Sequence, residues 1–297
     1  MNVAVVYSFD TNQPNNTGVT IMDMKLELIV LPVTDVDRAK AFYIDAAGFD
    51  LLVDHQPNEN FRVVQANPPG SGCSIAFGKG ISEMAPGSVG GMHLVVPDIE
   101  KAIAELAGRG LDIDGPFHFT ATGQTPGVEP GRNDYGTFAS FADPDGNGWL
   151  LQEFSARDPG MRLELVIVPV ADVDRAKAFY TEQCGFECST DHHPNDEFRV
   201  VQVDPPGSAC SITFGKGIPQ GEPGTIHGLH LVVTDIVAAC AELAGRGVDV
   251  SEPYYFALTG ERTEGVDPSG ADYSTFAEFK DPDGNTLLLQ QVKGNAS

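Results

Sequence analysis

The chain has 297 residues, of which 41% are hydrophobic, and a formal net charge of −24 at pH 7. This length predicts two domains, each with enough apolar residues to bury a core. The charge predicts repulsion from nucleic acid and from anionic membranes, and no apolar run approaches the roughly 18 residues of a membrane span.

The N-terminal segment and the cysteines predict a cytoplasmic protein. Residues 1–23 lack the basic and long apolar segments of a signal peptide, and Asn, Thr and Pro dominate their middle. We predict a flexible tail there. The five cysteines include no CxxC pair, which favours a reducing compartment.

The segment after the tail predicts one strand, one helix and three further strands. LELIVLPV is an apolar run typical of a strand. In TDVDRAKAFYIDAAGF, Thr34 or Asp35 fits an N-cap, apolar residues recur at helical spacing, and Gly48 can end the helix. DLLVDH, NFRVVQAN and GCSIAFGKG predict strands because turn residues separate them. The predicted order is β-α-β-β-β.

The same order follows from Met92. MHLVV predicts a strand, and PDIEKAIAELAGRG predicts a helix with Asp98 as its N-cap and apolar residues along one face. DIDGPFHF, YGTFASFA and NGWLLQEF predict three more strands. The last two are joined by a predicted tight turn at Asp143–Gly146, with Pro at its second position and Gly at its fourth.

An internal duplication repeats both segments about 137 residues later. LELIVLPVTDVDRAKAFY recurs as LELVIVPVADVDRAKAFY, and DPDGN recurs near the end of each copy. A repeat this long matches a whole domain. We therefore predict an α+β chain of four β-α-β-β-β modules, with a first domain at 24–154, a linker at 155–160, a second domain at 161–293 and a tail at 294–297.

Three motifs carry a resemblance to a known family: VLPVTDVDRAKAFY, HLVVPDIEKAIAELAGRG and FASFADPDGNGWLLQEF. With their counterparts in the second copy, they resemble the vicinal oxygen chelate superfamily, which includes glyoxalase I, bleomycin-resistance proteins and extradiol dioxygenases. The resemblance covers nearly everything after residue 24. It implies two glyoxalase/bleomycin-resistance-like domains with curved mixed sheets, in which paired modules form cups. The fold hosts lyases, isomerases, dioxygenases, transferases and binding proteins, so activity does not follow from it.

The resemblance also implies where a divalent metal would be held. Enzymatic members use His or Glu on the first and fourth strands of each module. Most of these positions hold poor ligands here: Leu28, Ala76 or Ser74, Leu150, Leu165, Thr213 or Ser211, and Leu288. Only His93 and His230 are suitable, and a catalytic metal needs about three protein ligands. We therefore expect neither a metal nor another cofactor, unless unusual residues supply the ligands.

Ten residues are candidates for contact with a ligand. His93 and His230 are candidates for hydrogen bonding or acid–base catalysis, and a core histidine bonded to a carbonyl is the alternative. Gln152 and Gln290 lie two residues beyond a leucine at a metal position, on the same strand face. Long loops of each copy can overhang the cup, which adds pocket-wall candidates: Phe117, His118, Tyr135, Tyr254, Tyr255 and Tyr273.

The sequence favours a glyoxalase/bleomycin-resistance-like protein that binds, and could also transform, a small, mostly apolar or aromatic molecule in its cups without a metal. Two alternatives remain open. One is a metal-dependent lyase or dioxygenase with relocated ligands, and the other is a cofactor-free isomerase or cyclase. Four modules can form the cups within a monomer, and a homodimer is compatible with the same sequence.

Overall fold

The computed structural model describes most of the chain, namely residues 23–120, 123–155, 160–218, 221–257 and 260–293. The greater part of both predicted tails and of the predicted linker lies outside these residues. No helix within the described ranges is long and apolar enough to cross a membrane.

Contacts divide the described residues into two compact units. The first unit comprises residues 30–167 and 221, and the second comprises residues 23–29, 168–218 and 222–293 among those described. The domain limits inferred from the duplication, 24–154 and 161–293, stay a prediction.

The elements of the first half of the chain begin with β1 (Lys25–Val30), which lies in the second unit except for its last residue. The first unit then contains α1 (Val36–Lys40, continued by a π-helical turn at Ala41–Ala46), β2 (Asp50–Asn58), β3 (Phe61–Asn67), β4 (Ser74–Lys79), β5 (Met92–Val96), α2 (Ile99–Gly108), β6 (Asp114–Thr120), β7 (Gly123–Pro126), β8 (Thr137–Ala142), β9 (Gly148–Glu153) and β10 (Arg162–Ile167).

The second unit repeats the same order. Its elements are α3 (Val173–Ala178, continued by a π-helical turn at Phe179–Gln183), β11 (Glu187–Asn195), β12 (Phe198–Asp204), β13 (Ser211–Lys216), β14 (His227–Val233), α4 (Ile236–Gly245), β15 (Tyr254–Phe256), β16 (Arg262–Glu264), β17 (Thr275–Lys280) and β18 (Thr286–Gln291).

Each unit contains a six-stranded mixed array and a three-stranded meander. In the first unit the orders are β10-β5-β9-β8-β6-β7 and β4-β3-β2, and in the second they are β1-β14-β18-β17-β15-β16 and β13-β12-β11. β5 runs parallel to β9 and β14 runs parallel to β18, whereas β10 and β1 join them antiparallel. The predicted α+β class and the order of the four modules are confirmed.

Two short strands depart from the predicted loops. β7 folds back antiparallel on β6, and β16 folds back in the same way on β15. Gly123 begins β7 with a φ of 108°, a left-handed conformation that glycine adopts readily. The long connections of each copy are therefore partly hairpin rather than loop throughout.

One face of each six-stranded array is covered by a helix. Period-two alternation brings Leu94 and Leu151 to this face, and neither has any exposed surface. In the first unit, α2 begins at the capping carboxylate of Asp98 and buries Ile99 and Leu106. It contacts β6, β8 and β9, and α4 contacts β17 and β18 in the second unit. The opposite face is left for other contacts.

The predicted tight turn before β9 is present and is anchored by a buried carboxylate. Asp143 accepts hydrogen bonds from the hydroxyl of Tyr43 at 2.8 Å, from the amide group of Asn147 at 2.7 Å, and from two backbone N–H groups. Asn147 also donates to the carbonyl of Pro32 at 3.0 Å. These bonds join α1 to the start of β9 and so fix where that strand begins.

We predict that Asp143→Ala lowers the free energy of unfolding by about 3 kcal/mol, because it leaves several buried donors without an acceptor. Asp281→Ala should have a similar effect, since Asp281 accepts from Tyr180 and Asn285 in the second unit. Urea unfolding followed by circular dichroism measures both. Asp112→Ala, at an exposed position, is the control. Equal midpoints for Asp143→Ala and Asp112→Ala would contradict the anchoring role.

Candidate functional site

The face opposite the helix carries one histidine in each unit, and we call it the histidine face. In the first unit, His93 of β5 lies between Leu150 of β9 and Leu165 of β10. In the second unit, Leu288 and Leu28 flank His230 in the same way. Both leucines in each unit were predicted to stand at metal-ligand positions. The histidine therefore has an apolar residue directly beside it on both neighbouring strands.

A glutamine orients each histidine. The Nδ1 atom of His93 lies 3.5 Å from Oε1 of Gln152, at the outer limit for a hydrogen bond, and Nε2 of Gln152 donates to the carbonyl of Tyr135 at 3.0 Å. Because the amide nitrogen is used in this way, its oxygen faces the ring, so Nδ1–H is the donor and Nε2 of the imidazole is left as an acceptor.

The second unit repeats this arrangement with a shorter contact to the ring. The Nδ1 atom of His230 lies 3.1 Å from Oε1 of Gln290, whose Nε2 donates to the carbonyl of Tyr273 at 2.9 Å. The structure thus brings together the predicted histidine, glutamine and tyrosine of each copy.

A glutamate that the sequence did not reveal joins each group. Leu163 pairs with Leu94 and Leu165 pairs with His93, so Glu164 is the extra residue of a β-bulge in β10. The hydroxyl of Tyr135 donates to its carboxylate at 3.3 Å. Glu27 is the corresponding bulge residue of β1, and it is hydrogen bonded to Tyr273. Strict alternation in LEL would have placed both glutamates on the opposite face.

The two tyrosines have a left-handed backbone. Their φ angles are 60° at Tyr135 and 61° at Tyr273, which is unfavourable for a residue other than glycine. Backbone hydrogen bonds hold them there, since each N–H donates to a carbonyl of the last strand, Glu153 at 2.7 Å and Gln291 at 2.8 Å. In the first unit the Tyr135 ring also stacks on Phe154 at 4.7 Å.

An aromatic cluster extends each histidine face toward its edge. Phe117 and Phe119 of β6 contact Phe138 of β8, with ring centroids 5.3 to 5.9 Å apart. Phe138 pairs with Gln152, which fixes the cluster on the histidine face. Phe119 is 45% exposed, so the cluster offers an open ring. Of the three, only Phe117 was predicted from the sequence.

The second unit forms the same cluster from Tyr254, Phe256 and Phe276, with centroids 5.7 to 5.8 Å apart. Phe256 is 55% exposed, and the predicted Tyr254 is buried beneath it. Period-two alternation from Phe117 and Tyr254 was the signal in the sequence that could have identified Phe119 and Phe256.

Two predicted pocket-wall residues lie on the other face. His118 follows Phe117 directly in β6, and its Nδ1–H donates to the carbonyl of Gly127 at 2.9 Å. Tyr255 follows Tyr254 in β15 and likewise alternates away from the histidine face. The prediction placed residues that are adjacent in sequence in the same pocket wall, whereas successive residues of a strand point to opposite faces of the sheet.

The two histidine faces differ in burial. His93 is 6% exposed, and Gln152 and Tyr135 are also buried. In the second unit His230 and Gln290 are partly exposed, and Tyr273 is open to solvent. Burial lowers the pKa of His93 to about 4 and also lowers the pKa of His230. Both imidazoles are therefore neutral near pH 7.

Burial acts in the opposite direction on the acidic groups of the second unit. It raises the pKa of Glu27, although Lys25 and the bond from Tyr273 oppose the shift. It also raises the pKa of Tyr273, and the neighbouring Glu27 adds to this effect.

These residues do not fit the divalent metal that the resemblance implies. Each imidazole has a leucine on both neighbouring strands, and the bulge glutamate of each group is bonded to the tyrosine, whereas a catalytic metal needs about three protein ligands. Within the part of the chain that the structure describes, no group of three His, Cys, Asp or Glu side chains could hold a metal ion. Each histidine is therefore suited to a polar contact within an apolar surface.

We predict that His93 makes the protein less stable in acid. Its pKa is lower in the folded state than the ordinary value of 6.5, so the unfolded chain binds more protons between about pH 6.5 and 4. This contribution is fully present above that window and is lost as the pH falls through it. From about pH 7.5 to 5 the free energy of unfolding should drop by about 2 kcal/mol through this residue alone.

Urea unfolding at both pH values, with His93→Gln, tests this prediction, because the variant should lose that part of the pH dependence. His55→Gln, which removes an exposed histidine of β2, controls for the substitution. The same drop in wild type and in His93→Gln would show that another group is responsible.

Comparisons with known proteins agree with this architecture. A family model described as the Glyoxalase/Bleomycin resistance protein/Dioxygenase superfamily matches residues 25–151 and again residues 162–289. The chain is 24% identical to the probable chloroplastic lactoylglutathione lyase of Arabidopsis thaliana over 226 residues, which cover 72% of this chain and 61% of that protein.

Among solved structures, glyoxalase I from Zea mays matches with a TM-score of 0.66 at 16% identity, and the match covers 90% of this chain and 92% of that one. TnmS3, an antibiotic binding protein from Streptomyces sp. CB03234, is 35% identical over 43% of this chain and 93% of its own, with a TM-score of 0.34. The likeness to the maize enzyme is one of fold.

Proposed function

The chain belongs to the Glyoxalase/Bleomycin resistance protein/Dioxygenase superfamily, and we propose that it binds a small, mostly apolar or aromatic molecule on its two histidine faces without a divalent metal. Membership alone leaves the activity open, because this fold carries many chemistries. The observation that carries the proposal is the strand register, which sets a leucine on both sides of each histidine.

Leucine at these positions favours apolar contact over coordination. Its side chain has no lone pair to offer a cation, and a ligand that covers it gains about 25 cal/mol for each Å² of apolar surface removed from water. Leu150 and Leu288 are both partly exposed, so such a surface is available in each unit.

The aromatic clusters support a ligand with a ring. Phe119 and Phe256 are exposed although their cluster partners Phe117 and Tyr254 are buried. Offset-stacked or edge-to-face contact with an added ring would cover this surface and contribute about 0.5–1.5 kcal/mol beyond the area that it buries. Apolar walls with a few placed polar groups are typical of small-molecule sites.

The histidine supplies the polar contact. Its Nδ1–H is directed at the glutamine, so its Nε2 can accept one hydrogen bond from a hydroxyl or N–H group of the ligand. Burial lowers the pKa of His93 to about 4 and also lowers the pKa of His230, so each neutral imidazole is an acceptor near pH 7 rather than a general acid. We therefore propose an uncharged ligand donor at this position.

The proposal can be tested with 2-naphthol, which combines an aromatic ring with one O–H donor. Calorimetric titration of the chain after EDTA treatment should give binding that persists without metal. His93→Phe and His230→Phe should each weaken it about tenfold at their own site, because the acceptor is lost while the apolar volume is kept.

His55→Ala and His193→Ala, at exposed positions of β2 and β11, are matched controls that should leave the titration unchanged. Native mass spectrometry and metal analysis of the freshly purified chain complete the test. A stoichiometric divalent ion that disappears in His93→Ala would overturn the proposal in favour of a metal site.

A further inference from the structure

The histidine face of the second unit carries an ion pair beside its aromatic cluster. The guanidinium carbon of Arg262 lies 3.6 Å from the centre of the Tyr254 ring, within the range of a cation–π contact. Its Nη1 donates to Oε1 of Glu278 at 3.0 Å. Phe256, the exposed ring of the cluster, pairs with Arg262 across the β15–β16 hairpin. The cation is thus placed beside an open aromatic surface.

The first unit has no charge at these two positions. Gln124 occupies the position of Arg262, and Ser140 occupies that of Glu278, as the strand registers of the two units show. The aromatic clusters of the two copies otherwise correspond, and Phe117 occupies the position of Tyr254. At these two positions the faces therefore differ in charge.

The ion pair is weakly held. Arg262 is 49% exposed and Glu278 is 40% exposed, so water screens their attraction. A guanidinium has five N–H donors in a planar fork, and among the described residues only the bond to Glu278 uses them. A second carboxylate can therefore replace Glu278 on this fork at little cost.

The charge of the whole chain makes this arginine unusual. A net charge of −24 repels anions from the surface in general. A cation stacked on an aromatic ring, next to an exposed phenylalanine, offsets that repulsion at one place. Planar carboxylates are the anions that the guanidinium fork matches in geometry.

We propose that the second unit takes an aromatic carboxylate, with its ring on Phe256 and its carboxylate on Arg262 in place of Glu278, whereas the first unit takes an uncharged aromatic ligand. The duplication has thus produced two sites of different specificity. This inference rests on the proposed function, because it names the ligand class of one of the two faces.

Two probes with the same ring system separate this inference from the proposed function. One is 2-naphthoate and the other is 2-naphthalenemethanol, which lacks the charge. Calorimetry should show that Arg262→Gln, which installs the residue of the first copy, weakens naphthoate about tenfold and leaves the alcohol within about twofold. Glu278→Ser, also the residue of the first copy, should tighten naphthoate about threefold because it removes a competing carboxylate.

The reciprocal change tests the same idea in the first unit. Gln124→Arg should add a second naphthoate site, since Phe117 offers a ring for the new cation. Arg262→Lys keeps the charge without the planar fork and should fall between wild type and Arg262→Gln. Thermal midpoints of all variants show whether they are folded.

Naphthoate binding that is unchanged in Arg262→Gln would overturn the inference, as would an equal loss for both probes. If the alcohol fails to bind the wild-type chain while naphthoate binding depends on Arg262, the proposed function for neutral ligands fails and the role of Arg262 stands. The two failures are therefore distinguishable.

Discussion

Parallel pairing of β5 with β9, and of β14 with β18, decides what surrounds the histidine in each unit. A shift of one residue in this register would place the histidine and the glutamine on opposite faces and bring the core leucines of one strand to the open face. The register of β9 is in turn held by the turn that precedes it, where Asp143 and Asn147 are bonded to α1 and to the carbonyl of Pro32. A buried carboxylate in a turn thus helps to fix which residues of β9 lie on the histidine face.

This strand register places each histidine as a polar group in an apolar surface rather than as a metal ligand. Burial keeps it neutral, the glutamine selects its tautomer, and the tyrosine carbonyl selects the orientation of the glutamine. The last two steps use one hydrogen bond each and no charge. If the face binds a ligand as we propose, its specificity depends on shape, on ring contacts and on a single acceptor.

The sequence was sufficient for the fold, whereas its choice of site residues stays a prediction. The duplication, the strand and helix periods and the DPDGN turn predicted the module order, and the strand period predicted that each glutamine shares a face with the leucine two residues before it. The bulges were not predictable, because LELIV alternates regularly and nothing local shows that Glu27 or Glu164 is an extra residue. His118 and Tyr255 were chosen as neighbours of aromatic residues, although period two sends them to the other side. The pairing of Arg262 with Glu278 depends on which strands lie side by side, which no short motif encodes.

The left-handed tyrosines have a consequence for how the protein can change. A non-glycine residue in this conformation costs on the order of 1 kcal/mol or more, and the surrounding bonds must offset that cost. Glycine would relieve this strain, but at Tyr135 it would also remove a buried ring that stacks on Phe154 and donates to Glu164, and this loss exceeds the gain. At Tyr273 the ring is half exposed, so less packing would be lost there. The same backbone strain is therefore more firmly fixed in the first unit than in the second.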